Sequence, residues 1–268
     1  MKGGWLKIYA IGYLLFLYAP IILLPIFAFN DATIIAFPLK GFTTQWFSEL
    51  ATIPALHSAV LNSLLIAVTT AVVSTVLGVC AARAAARYQF PGKKGIMGAI
   101  MLPLVLPEII VAVSLLVVLL QLGLSLGAWT VILGHVLICT PFSIAILNSA
   151  FQNLDMSMEE ASYDLGETPW STFRLITLPL VMPGIISSLL IGFTISLDEF
   201  IIAFFLTGAE PTLPVYLWSQ LRFPQKIPVV MALGTILVLL SIILLTMAEY
   251  FRRRGIARAG GKDTGGFL

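Results

Sequence analysis

Six long apolar stretches divide the chain, at about 8–29, 61–82, 97–121, 129–150, 184–206 and 229–250, with most polar and charged positions gathered between them. Each reaches the roughly 20 mostly apolar residues that a membrane-spanning helix needs. Helices are the expected solution, because a backbone in lipid must satisfy its own hydrogen bonds. Composition agrees: of 268 residues, 59% are hydrophobic and 10% charged, with a mean hydropathy of +1.01. Water-soluble domains carry about 25% charged and about 45–50% apolar residues, and a chain of this length cannot hide the excess. A soluble enzyme, a secreted disulfide scaffold, a disordered chain and a nucleic-acid reader are thereby excluded. The formal net charge of +2 is too small to imply a polyanionic partner. Cys80 and Cys139 lie inside apolar runs and read as small buried residues without a redox role. An all-α membrane protein of six transmembrane helices is expected.

Lys2 and Lys7 precede the first stretch, as they would in a signal peptide. The run is too long for that, and Phe27-Ala28-Phe29-Asn30 has no small-x-small cleavage site, so it is expected to remain as the first helix. Six spans place both termini on one side. That side takes Lys2, Lys7, Arg83, Arg87, Lys93, Lys94, Arg174, Arg252, Arg253, Arg254, Arg258 and Lys262, twelve of the fifteen lysines and arginines. The other takes Lys40, Arg222 and Lys226. Positive residues stay cytoplasmic, which puts both termini in the cytoplasm. Trp46, Trp129 and Trp218 then fall at or near the outer boundary, where interfacial aromatics gather. A single transmembrane domain is expected over residues 1–255, followed by a flexible cytoplasmic tail over 256–268. In that tail Gly261-Lys262 is followed by Asp263 instead of Ser or Thr, so it is not a phosphate loop. The chain also lacks His-Glu-x-x-His, Gly-x-Ser-x-Gly and Cys-x-x-Cys, and shows no equipment for hydrolysis.

The connection at about 151–180 is longer than the ~2–8 residues usual between neighbouring helices. Asp155, Glu159, Glu160, Asp164 and Glu167 cluster there around Ala161, Tyr163 and Leu165. The pattern reads as a short acidic amphipathic helix that Gly166 can end and Pro169 keeps closed. Trp170, Phe173, Leu175 and Ile176 are apolar residues that a purely solvated connector does not need.

Glu160-Ala161-Ser162, three residues, Gly166, nine residues, then Ile176-Thr177-Leu178-Pro179 resembles the EAA motif of ABC-importer permeases. One position departs, Ser162 for the third alanine. The resemblance implies the type I ABC importer permease fold and a coupling helix that docks on an ATPase subunit. Glu160, Ala161, Ser162, Gly166, Leu178 and Pro179 would carry that contact. Further motifs, Gly41-Phe42-Thr43-Thr44-Gln45-Trp46, Arg87-Tyr88-Gln89-Phe90-Pro91-Gly92-Lys93 and Ser196-Leu197-Asp198-Glu199, are similar to the spermidine/putrescine branch. The resemblance implies a bacterial inner-membrane location and a small, cationic organic solute. It also implies a second permease subunit, two copies of an ABC ATPase and an extracytoplasmic binding protein as partners. ATP and Mg would be bound by the ATPase, with no cofactor in this chain. Relatives for iron, thiosulfate, phosphonates or opines share parts of these motifs.

Three carboxylates fall inside expected spans, Glu108, Asp198 and Glu199. A carboxylate at the centre of a membrane helix costs roughly 2.5–3.5 kcal/mol on the insertion scale and normally faces a bundle interior or a watery cavity. Counted along straight helices, Glu108 stands roughly 17 Å and Asp198 roughly 21 Å from the inner ends of their spans, heights that let both face one cavity. Ser187, Ile191, Thr194 and Asp198 share one helical face; Glu199, rotated by about 100°, points elsewhere, with a partner subunit as one destination. Trp129 and Trp218 are near the right level to rest against a cation. The expected translocation path thus takes Asp198, Glu108, Thr194, Glu199, Trp129 and Trp218, while His135 reads as a hydrogen-bonded packing residue or a proton relay. An ion- or proton-coupled carrier acting alone is the competing function, but it leaves the acidic connection unexplained.

Overall fold

The apolar runs wind into helices, and the breaks between them fall where proline removes a donor or the backbone turns extended. The computed structural model describes residues 3–258. Along them run α1 (Gly3–Ala28), α2 (Gln45–Leu50), α3 (Pro54–Arg87), α4 (Lys93–Met101), α5 (Glu108–Gln121) and α6 (Ala128–Gln152). There follow α7 (Met156–Asp164), α8 (Pro169–Thr172), α9 (Leu178–Asp198), α10 (Ile201–Leu206), α11 (Leu213–Gln220) and α12 (Ile227–Arg258). A 3-10 turn, Leu102–Leu104, extends α4, and a π turn, Phe173–Thr177, runs from α8 directly into α9. Lys2, Lys262 and most of the expected tail lie outside the described residues, as do the side chains of Arg252, Arg253, Arg254 and Arg258.

Five helical stretches are long and apolar enough to cross a membrane: Trp5–Ala28, Pro54–Arg87, Ala128–Gln152, Pro169–Asp198 and Pro224–Ile243. The sixth, expected as one helix over 97–121, is broken. Lys93–Leu104 and Glu108–Gln121 meet at a bend of 102°. Pro103 and Pro107 supply no N–H, and Pro107 is itself extended at ψ 128°. Glu108 therefore opens α5 instead of lying partway along a straight helix, and the height counted from residue 97 does not hold. The fifth span also departs from 184–206. Its helix is continuous from Pro169, and α9 stops at Asp198 because Glu199 is extended at ψ 122°.

The helices group into two compact units, residues 3–53 with 217–258, and residues 54–216. In the first, α1 and α2 each pack on α12. Asn30, buried just past α1, ties down the segment that follows. Its side-chain oxygen accepts from the Lys40 N–H (3.0 Å) and its carbonyl from Trp46 Nε1 (2.9 Å). The Gly41–Trp46 motif is thereby folded back onto the end of α1.

In the second unit α3, α6 and α9 pack on one another, and α10 packs on both α5 and α6. Small residues bring the backbones close, as expected where lipid supplies no hydrophobic force between helices. A Cβ built on Gly78 of α3 would lie 2.8 Å from Ser143 Cβ of α6, and one on Gly184 of α9 2.7 Å from Ala150 Cβ. Hydroxyls satisfy each other across the seam, Thr75 Oγ1 lying 2.9 Å from Ser188 Oγ. The apolar centre joins Ile66, Ala112, Val131 and Ile138 to Ile202 and Leu206 of α10. Cys139 is buried, while Cys80, expected to be buried, faces outward from α3. Gly78→Val should lower the stability of the detergent-solubilised protein by about 1–3 kcal/mol, since the added atoms have no room. Gly98→Ala, at an open helical position, should be neutral or stabilising; thermal unfolding measures both.

Candidate functional site

The segment between α6 and α9 is built by capping. Asp155 precedes α7, and its carboxylate accepts the Ser157 N–H at 3.0 Å. Hydrogen bonds from the Ser157 backbone and hydroxyl hold the Asp155 carboxyl below the usual range. Gly166 ends α7 in the left-handed region at φ +88°, which lets Glu167 N reach back to Ser162 O at 3.1 Å. A Cβ there would meet nothing within 4 Å, so the demand for glycine is conformational. Thr168 then caps α8 through Ser171 N (3.2 Å), with Pro169 at the first helical position.

α7 has two working faces. Glu160 and Ala161 are exposed, and beside them Leu165 and Trp170 stand out at 86% and 69% exposure. Glu159 and Ser162, three apart, are buried. Ser162 Oγ lies 3.0 Å from Thr172 Oγ1, stitching α7 to α8. Ser162 is thus turned away from the exposed surface that Glu160 and Ala161 form. Leu178 is half-buried and Pro179 exposed where α9 begins. Glu159 accepts the Thr177 hydroxyl at 2.6 Å through Oε1, while its Oε2 lies 2.9 Å from Arg87 Nε at the end of α3. Arg83, one turn earlier on α3, places its guanidinium 4.4 Å from the centre of the Phe173 ring.

Sequence reading missed this inner set of Arg83, Arg87, Glu159 and Thr177. Its one local signal is the i, i+4 spacing of the two arginines, which sets them on one helical face.

The two adjacent carboxylates of the fifth span part company. Asp198 is exposed at the end of α9, on the same exposed face as Ser187, Ile191 and Thr194; the Ser187 hydroxyl donates to Pro183 O and that of Thr194 to Leu190 O (2.9 Å each). Glu199 turns into the unit and is buried. Its two oxygens accept the Ile202 and Ala203 N–H groups at 3.1 Å each, capping α10. His135 of α6 lies behind it, with Nε2 3.3 Å from Glu199 Oε2 and Nδ1 2.7 Å from Ser196 Oγ. The sequence rotation rightly separated the two acids, but the partner subunit given as a destination for Glu199 is replaced by α6 of the same chain. Glu108 is exposed in the first turn of α5, Trp129 is 41% exposed on α6, and Trp218 is half exposed. Among the described residues no ion pair joins Glu108 or Asp198 to a basic group.

Solved transporters share this helical arrangement. A bacterial ABC transporter involved in the import of the acidic polysaccharide alginate aligns with 93% of this chain and 95% of its own, at a TM-score of 0.73 and 17% identity. An amino acid ABC transporter with histidines covers 80% of this chain and all of its own, at a TM-score of 0.56 and 18% identity. The fold is therefore that of an ABC importer permease. Residues 74–255 match the family described as binding-protein-dependent transport system inner membrane component, and the chain belongs to it. Among its relatives, the spermidine/putrescine transport system permease protein PotC of Shigella flexneri is 35% identical, covering 99% of this chain and 97% of that protein. The putrescine transport system permease protein PotI of Escherichia coli K12 is 36% identical, covering 91% and 92%. The chain is a multi-pass inner-membrane transport permease and not an enzyme, which sets aside the solitary carrier.

The split between the two acids is measurable. Glu199→Ala strips two backbone donors and His135 of their partner and should cost about 2 kcal/mol or more of stability. Asp198→Asn, at an exposed position, should stay within about 0.5 kcal/mol of the parent in the same detergent melt.

Proposed function

We propose that this chain forms half of the translocation path of an importer for a polyamine such as spermidine or putrescine. The observation that carries the substrate class is 35–36% identity, over nearly the whole chain, to permeases named for those solutes. The path would take Asp198, Thr194 and Glu108, whose side chains face outward on this chain alone, together with Trp129 and Trp218. A second permease subunit would cover Asp198, Thr194 and Glu108. A carboxylate on a membrane helix calls for a watery cavity or an opposite charge, and a polycation supplies the charge and a partner for aromatic faces. Glu199 would serve the path indirectly, by fixing the break between α9 and α10 beside Asp198.

On this reading both termini are cytoplasmic, residues 1–255 act as one membrane domain, and 256–268 trail from it. Two copies of an ABC ATPase hold ATP and Mg, and an extracytoplasmic binding protein delivers the solute. The exposed side of α7–α8, with Glu160, Ala161, Leu165 and Trp170, receives one ATPase copy. Leu178 and Pro179 lead from it into α9. Support comes from a short helix whose apolar side chains are exposed on a segment otherwise held by caps and buried hydrogen bonds.

Two outcomes are expected in a host lacking its own polyamine uptake. Spermidine accumulation dependent on this chain should be competed by excess putrescine and not by Fe³⁺, a phosphonate, an opine or thiosulfate; competition only by one of the latter would contradict the substrate class. Asp198→Asn should lower uptake several-fold with the transporter still assembled. Gly166→Val puts a β-branched residue in the left-handed region at about 1–2 kcal/mol, and ATPase recovered with the permease should fall by on the order of tenfold.

A further inference from the structure

We infer that Arg87 and Glu159 are a positioning pair that fastens α7 to the end of α3, so that displacement of α7 drives α3 directly instead of being absorbed in the connecting turns. The inference rests on the coupling reading of α7 given above and adds the residues that carry its motion inward.

The geometry is specific. Glu159 and Arg87 stand 72 positions apart in sequence, yet their side chains meet at 2.9 Å and are only 9% and 10% exposed. Screening by water is weak for such a pair, and removing one member strands the other as a buried charge. Glu159 spends both carboxylate oxygens, one toward Arg87 and one on the Thr177 hydroxyl at 2.6 Å. It therefore joins three elements at one point: α7, the π turn that opens α9, and the last turn of α3. Arg83 adds a second grip, its guanidinium 4.4 Å from the Phe173 ring in the same π turn.

The covalent routes out of α7 are less suited to carrying force. Toward α6 the chain passes through residues 153–155, and toward α9 it passes the left-handed Gly166 and residues 165–168 before the helix that is continuous from Pro169. Each has torsions that can yield. α3, by contrast, is a 34-residue helix packed along both α6 and α9 through small residues. A push received at Glu160 and Ala161 is met on the buried side of the same nine-residue helix by Glu159, and through Arg87 it reaches the helix best placed to turn the bundle.

The test uses the complete transporter in proteoliposomes: both permease subunits, the ATPase pair and the binding protein, with spermidine as solute and hydrolysis and uptake measured together. Arg87→Met keeps the stem and removes the charge; Glu159→Gln keeps an acceptor for Thr177 and removes the charge. Each should recover the ATPase at the parent ratio and raise the ATP consumed per solute by at least about fivefold, the lower end of site-to-site coupling. The double variant should be no worse than either single one, because both remove one contact. Arg87→Lys should lie nearest the parent. An unchanged ATP-to-solute ratio in the single variants, additive effects in the double, or loss of the bound ATPase in Arg87→Met would each overturn the pair. Gly166→Val run alongside separates the two failures: if it loses the ATPase while Arg87→Met leaves the ATP-to-solute ratio unchanged, the pair alone falls, and if it keeps the ATPase at the parent ratio, the coupling reading falls as well.

Discussion

In hydrocarbon, apolar side chains gain nothing by leaving lipid for one another, so helices hold together only through close fit and polar contact. The packing of α3, α6 and α9 answers that constraint. Gly78 and Gly184 remove the Cβ atoms that would keep the backbones apart, and Thr75 with Ser188 pairs hydroxyls that lipid would leave unsatisfied. Both ends of the three-helix core are then tied by side chains reaching the neighbouring turns. At one end Thr130 Oγ1 bonds Leu206 O at 2.8 Å and Ser63 Oγ accepts Leu213 N at 2.7 Å. At the other, Arg87 and Thr177 converge on Glu159. A core closed in this way is suited to move as a piece, which is what a subunit without chemistry of its own must do.

Polar groups in this chain divide by what satisfies them. Glu199, His135, Ser196, Glu159 and Thr177 find partners inside the chain and are buried. Among the described residues Asp198 and Glu108 have no ion-pair partner, and both are exposed. A surface carboxylate on an otherwise apolar membrane helix calls for a watery cavity or an opposite charge. Two adjacent carboxylates are thus satisfied differently: Glu199 caps α10 across a break in the backbone, and Asp198 is exposed at the end of α9.

Five of the spans and the acidic segment were legible in the sequence, because apolar run length and the Gly166 and Pro169 signals are local, while the Glu160–Ala161 surface followed only from the resemblance to the EAA motif. What escaped was non-local or geometric. Summed hydropathy over 97–121 does not register the 102° bend at Pro107, nor does the apolar run over 184–206 register that Glu199 is extended and ends α9. Rotation by one residue showed that Asp198 and Glu199 face different ways, but which one is buried depends on His135, 64 positions earlier. Glu159 looked like one acid among five. Its distinction is Arg87, whose charge had been spent in sequence on assigning the inner side.

The central claim is that these helices are moved by force from outside the polypeptide. It is tested most directly in sealed vesicles holding the two permease subunits with the binding protein, first without and then with the ATPase and ATP. The account predicts that solute accumulates above its external concentration only in the second case. Accumulation against a gradient without the ATPase would contradict it.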